Sequence, residues 1–126
     1  MLDKYCQDFL DKSEENYKLY EFLHSSGKFV EWQIVAIFYS ALCYVKAYLY
    51  SKGMPINSIN SHDSIKFYLS TEEYAKRCKV LPYYSNLYRD SRDARYSNKQ
   101  IKESRINFAI SNYQKVKELL DNNFEK

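Results

Sequence analysis

The sequence predicts an all-α protein, one domain over residues 1–126 folded as a four- to five-helix up-down bundle. Three observations carry that expectation. The chain has only 2 Gly and 2 Pro in 126 residues, too few to punctuate the many turns of a β fold. Its hydrophobic residues, 45% of the total, are too many for a disordered chain and enough for a core without disulfide or metal staples. They recur at three- and four-residue steps, the repeat of one face of an α-helix.

A first helix is expected over about residues 3 to 24. Cys6, Phe9, Leu10, Ser13, Tyr17 and Tyr20 form its stripe, and Gly27 offers a left-handed stop. A second helix follows from about Val30 to Ser51. Ile34, Val35, Phe38, Ala41, Leu42, Val45, Tyr48 and Leu49 make its main face, and Ile37, Tyr39 and Tyr44 make the remainder apolar too. A helix apolar nearly all round belongs at the centre of a bundle. It also contains Lys46, Ser40 and several Tyr, so it reads as a core helix, not a membrane span. Gly53 and Pro55 end it.

Met54 to Asn60 reads as a short loop, after which Ser61 caps a third helix holding Ile65, Phe67, Tyr68 and Leu69. Ser70-x-x-Glu73 has the form of a capping box and restarts the helix. Leu81-Pro82 breaks the chain again, and a fourth helix from about Pro82 carries Tyr84, Leu87, Tyr88 and Ser91 on one face. Ser97-x-x-Gln100 has the same box form. It is expected to open a fifth helix with Ile101, Arg105, Phe108, Ala109, Val116, Leu119 and Leu120 on its core side.

Net charge is +3, and its distribution says more than its size. Residues 1–31 carry four lysines against seven acidic residues, whereas residues 76–105 carry nine basic residues against Asp90, Asp93 and Glu103. A basic stretch is an electrostatic footprint for phosphate. Its densest part is Arg89-Asp90-Ser91-Arg92-Asp93-Ala94-Arg95-Tyr96. On a helix Arg89, Arg92 and Tyr96 share a face, and Arg95 reaches the edge of the same groove. Arginine suits phosphate because its planar fork donates two parallel hydrogen bonds. Asp90 is expected to pair with a neighbouring arginine on the helix surface, which contributes little stability.

Cys6, Cys43 and Cys78 are scattered, with no C-x-x-C pair, and Cys6 and Cys43 fall on apolar faces as small core residues. Reduced thiols, and a start (Met1-Leu2-Asp3-Lys4) without a basic-then-apolar leader pattern, lead to the expectation of a cytoplasmic protein. His24 and His62 are the two histidines. His24 ends the first helix, where a cation favours the dipole. His62 opens the third, as a polar first-turn residue or as an acid–base group. No phosphate loop, zinc pair or serine elbow is present, and neither a metal nor a cofactor is expected. Most of the 14 tyrosines sit at helical spacing, which points to core or dimer contact.

Three stretches together resemble the HEPN superfamily of small helical proteins from toxin–antitoxin, defence and RNA-processing systems. They are Ala41-Leu42-Cys43-Tyr44-Val45-Lys46-Ala47-Tyr48-Leu49-Tyr50-Ser51-Lys52-Gly53, Ser61-His62-Asp63-Ser64-Ile65, and Arg89 to Tyr96 with the helix after it. The resemblance implies a four- or five-helix bundle that forms a homodimer. It also implies a metal-independent endoribonuclease site made of an Arg, a spacer and a His at the dimer cleft. In members paired with a minimal nucleotidyltransferase, a Tyr two residues beyond that His is nucleotidylated by the partner. Aligning Arg89 with the family Arg puts Ala94 at the His position and Tyr96 at the Tyr position.

The expected function is therefore that of a HEPN-like dimeric module, beside a nucleotidyltransferase partner. It would hold RNA or nucleotide phosphate at the dimer cleft with Arg89, Arg92, Arg95 and Lys99. The alternative is an active endoribonuclease in which Arg89 works with His62 or Tyr96. A second alternative is a structural adaptor whose arginines are surface charge.

Overall fold

The most apolar stretch of the chain lies where such a stretch must lie, at the centre. In the computed structural model, residues 3–97, 100–122 and 124 are described, and six α-helices with one 3₁₀ turn form among them, without a strand. Four helices are long: α1 (Lys4–Ser26), α2 (Val30–Ser51), α5 (Leu81–Tyr96) and α6 (Ser104–Asp121). Two are short: α3 (His62–Thr71) and α4 (Glu73–Cys78). The fold is thus the expected all-α bundle, built on four long helices with the third expected helix divided into α3 and α4.

Helix α2 runs over the residues its periodicity predicts, and Ile37, Ala41, Val45, Ala47, Tyr48 and Leu49 are wholly enclosed. Helix α1 lies along it, and α5 and α6 cover its other sides. It is the one described helix with the length and apolarity of a membrane span, and two thirds of that window (67%) is buried by its neighbours. Ser13 and Ser40 let α1 and α2 approach closely and lock their register. Ser13 Oγ donates to the Ser40 carbonyl at 2.7 Å, and Ser40 Oγ donates to the Ser13 carbonyl at 2.8 Å. The Tyr113 hydroxyl of α6 joins them 2.9 Å from Ser40 Oγ, so three helices share one satisfied polar knot.

The ends have local causes. Asp3 caps α1 by accepting from the Tyr5 amide, and Gly27 stops it at φ 70°. Phe29 enters α2 at φ 61°, a left-handed conformation unusual for a residue with a Cβ. After Gly53 and Pro55, a 3₁₀ turn at Ile56–Ile59 stands where an irregular loop was expected, and it drives Ile59 into the core. Ser61 caps α3, as predicted, by accepting from the Ser64 amide at 3.1 Å.

Three local expectations are corrected. Helix α4 is capped by Glu72, not Ser70: its carboxylate accepts from the Tyr74 and Ala75 amides and from the Tyr48 hydroxyl. Ser97 is the C-cap of α5, and α6 begins at Ser104, so the Ser97-x-x-Gln100 box opens no helix. Ile101, ahead of α6, is buried without being helical; residues 98 and 99, in the middle of the box, lie outside the described residues. The core side of α6 is Ile106, Ala109, Asn112, Tyr113, Val116 and Leu120; Phe108 is 43% exposed and Arg105 reaches the surface. Cys6 is buried as expected, Cys43 is only half-buried, and all three cysteines are free.

Candidate functional site

The arginine-rich run forms the second half of α5, and its two aspartates decide how the arginines behave. Asp90 faces inward and its side chain is 0% exposed. It is ion-paired and hydrogen-bonded to Arg105 of α6, which also reaches Asp93 at 3.2 Å. This overturns the expected surface pairing of Asp90 with an arginine of its own helix: Asp90 lies on the side of α5 that meets α6, where Arg105 reaches it. The acids of the run are thereby occupied from across the interface. Among the described residues, no carboxylate forms an ion pair with Arg89, Arg92 or Arg95.

The three arginines then diverge. At 3.6 residues per turn, Tyr84, Tyr88, Arg92 and Arg95 fall within one narrow stripe, while Arg89 and Tyr96 lie roughly 80–100° further round. The Arg92 guanidinium donates to the Tyr88 hydroxyl at 3.2 Å and lies 5.9 and 5.7 Å from the rings of Tyr88 and Tyr96. The Arg95 guanidinium donates to the Ser91 carbonyl at 3.3 Å and to the Tyr39 hydroxyl at 3.4 Å. It lies 6.0 and 5.2 Å from the rings of Tyr39 and Tyr96. Contacts of this length to aromatic faces hold a cation in place while leaving its donors largely available.

Arg95 forms part of the wall of a cleft of about 210 Å³ between α2, α5 and the start of α3. His62 also lines it, with Tyr88, Tyr84, Lys46 and Asn60. Ser61 fixes His62 there by starting α3 one residue earlier. The imidazole stacks on the Tyr88 ring at 3.3 Å between centroids and 10° between planes, and its Nδ1 lies 3.1 Å from the Tyr84 hydroxyl. Burial, reinforced by the cations Lys66 and Arg92 and opposed by Asp63, holds the imidazole below its ordinary pKa, so it is neutral at pH 7.

Two tautomers fit the contact with Tyr84. Tyr84 is fully buried, and burial raises its pKa well above the ordinary tyrosine value, so it keeps its proton. His62 Nδ1 is the one acceptor the Tyr84 hydroxyl has among the described residues. Donation from Tyr84 to Nδ1 puts the ring proton on Nε2, where it is a hydrogen-bond donor. Acting as a base would require the opposite tautomer, with Nδ1–H donating to Tyr84 and the Nε2 lone pair free.

The structure thus brings together His62, Arg92 and Arg95 from the predicted set. Arg89 and Tyr96 are exposed on the adjoining flank of α5, with Tyr96 ringed by Arg92 and Arg95. Ala94 is half-buried in a second hollow beside Trp32. Lys99 lies outside the described residues. His24 sits in the last turn of α1, stacked on Tyr20 and hydrogen-bonded to Gln33 at 3.1 Å, remote from this cleft. Lys46, Tyr39, Tyr84 and Tyr88 were not anticipated as site residues. The spacing of Tyr84, Tyr88, Arg92 and Arg95 on one helical stripe is the signal that could have found two of them. Among the described residues, no three His, Cys, Asp or Glu side chains are grouped to hold a metal ion. No protein-family model, no curated protein and no solved structure matches the chain.

Proposed function

We propose that this protein binds RNA or nucleotide phosphate, with Arg92, Arg95 and Lys46 supplying cations and His62 Nε2–H supplying a neutral donor. One observation carries the proposal: Arg105 engages both aspartates of the basic run, which leaves its arginines without acidic partners among the described residues, beside a cleft. A solvated, self-neutralised helix face would pair those charges along α5 instead. Arg89, on the flank, extends the positive surface. The HEPN resemblance adds a setting: a cytoplasmic homodimer of a toxin–antitoxin or defence system with a nucleotidyltransferase partner.

A salt titration of RNA binding tests this. Arg92→Ala and Arg95→Ala should each weaken binding and reduce the slope of log K against log salt by about one contact. Unchanged affinity and slope in both variants refutes it. The second reading is a metal-independent endoribonuclease, and it is favoured by the neutral His62 lining the same cleft as Arg95. Attack by a 2′-hydroxyl needs a proton acceptor and stabilisation of phosphate charge, which His62 in its other tautomer and Arg95 would supply. Incubation with RNA in chelator separates the two: cleavage lost in His62→Ala with binding retained selects the enzyme, and intact RNA selects the binding protein.

A further inference from the structure

Arg95 belongs to two hollows. On one side is the His62 cleft. On the other is a groove of about 420 Å³ between the first turn of α2 and the last turn of α5, lined by Glu31, Trp32, Val35, Ala94, Arg95 and Tyr96. The first hollow, at about 210 Å³, is smaller than a usual small-molecule pocket, and the second falls within the range of roughly 300–1,000 Å³. Trp32 is 61% exposed and Tyr96 is 70% exposed, so two large flat rings with solvent-facing surface line the same groove as Val35 and Ala94. Neither ring contributes much to the core. The guanidinium lies 5.2 Å from the Tyr96 ring, at the boundary between the hollows.

We propose that this groove is a nucleobase subsite: Trp32 and Tyr96 stack one base of a single-stranded RNA, its phosphate lies on Arg95, and Glu31 accepts from the amino edge of the base. The proposal rests on phosphate binding at the adjoining cleft and names the ligand class of that site. Every base has a π-face, and stacking on exposed aromatics beside a cationic track is how unpaired strands are held. Bases inside a duplex are already stacked and paired, so the groove selects single strands. The carboxylate sets polarity. Glu31 repels phosphate, which places the backbone on the Arg95 side and leaves Glu31 for an N–H donor on the base. Cytosine, adenine and guanine carry an exocyclic amino donor and uracil does not. A hydrophobic protein segment would gain from Trp32 and Tyr96 but would desolvate Arg95 and Glu31 without partners.

Trp32 is the only tryptophan in the chain, so its emission reports on this groove alone. The full chain is titrated with an RNA octamer of cytidines and with an abasic octamer of equal charge. The cytidine octamer should quench Trp32 and bind about tenfold more tightly than the abasic one, the weaker half of the range for one stacked base. Trp32→Leu should abolish that difference, and Trp32→Phe should keep most of it; far-UV circular dichroism confirms that both fold. Glu31→Ala should erase the preference for cytidine over uridine octamers. Equal affinity for the cytidine and abasic octamers with unchanged emission overturns the base subsite while leaving phosphate binding intact. Loss of all salt-dependent binding would overturn phosphate binding itself, and the subsite with it. Emission that shifts with protein dilution and not with RNA would assign the groove to a second copy, and so also overturns the proposal.

Discussion

Arg105 is the residue on which both the fold and the charge of the site depend, and Arg105→Met is the sharpest perturbation of it. The guanidinium bridges Asp90, which is fully buried, and Asp93, which is 46% exposed at its side chain. Removing one partner of a buried ion pair destabilises by roughly 3–5 kcal/mol, because the remaining charge is left in a poorly solvating interior. The Arg105 side chain is itself 36% exposed, so water already shares the site and the lower end applies, about 3 kcal/mol. A domain of this size loses roughly 4 °C per kcal/mol, which gives a fall in melting temperature of about 12 °C. The companion variant, Asp90→Leu with Arg105→Met, should recover most of that loss. One oxygen of Asp90, Oδ2, is buried without a hydrogen-bond partner, so an apolar replacement of the pair also removes an unsatisfied acceptor. The same single variant releases Asp93, which stands one helical turn from Arg89. RNA affinity should therefore fall severalfold in folded Arg105→Met, although the lost residue is not in the cleft. Thermal melts of both variants and a low-salt RNA titration check the reasoning. A single variant melting within about 2 °C of the parent chain would show that Arg105 does not hold a buried charge.

The remaining predictions concern pH and backbone. His62 titrates below its ordinary value of 6.5 because it is partly buried among cations. The unfolded chain therefore takes up the proton first, and stability declines as pH falls from about 7 through the folded-state value. His62→Gln should flatten that decline in melts between about pH 8 and 5, and an unaltered slope would remove His62 as its source. Burial alone would raise the Glu72 pKa, but hydrogen bonds from the Tyr48 hydroxyl and the Ala75 and Tyr74 amides outweigh it and leave it lowered. Its stabilisation is then complete above the unfolded carboxylate value of about 4.3 and lost as pH falls through the folded one. Glu72→Ala should cost about 1–2 kcal/mol at neutral pH, much less in acid, and equal loss at both pH values would refute the capping role. Phe29 holds φ 61° with its ring 56% exposed, so Phe29→Gly relieves a strain of roughly 1–2 kcal/mol while removing little packing. Its melting temperature should be unchanged or a few degrees higher; a fall of several degrees would mean that the ring, and not the backbone, sets the turn.

What could be read in the sequence and what could not divides along a physical line. Signals contained within a few residues were legible. The all-round apolar run gave α2 its ends at Val30 and Ser51, Gly27 gave the left-handed stop, and Ser61 gave the cap of α3. Signals that compete with tertiary burial were not. Ser97-x-x-Gln100 has the side chains of a cap, but Ile101 is buried in a non-helical stretch and α6 begins only at Ser104. Asp90 reads as a surface acid because nothing near it in sequence reveals that Arg105, fifteen residues on, meets it in the interior. The site divides the same way. The density of arginine in residues 89–95 is a local property and is legible without the fold. The juxtaposition of His62 with Tyr84 and Tyr88 spans more than twenty residues and depends on α3 settling against α5. That distinction changes the meaning of Arg89. The HEPN resemblance would make it the leading arginine of a motif with Ala94 at the histidine position. In space the histidine of the site comes from α3, and the arginine that shares its cleft is Arg95. Arg89→Ala should accordingly reduce RNA affinity less than Arg95→Ala does, and a larger effect at Arg89 would return the centre of the site to the flank of α5.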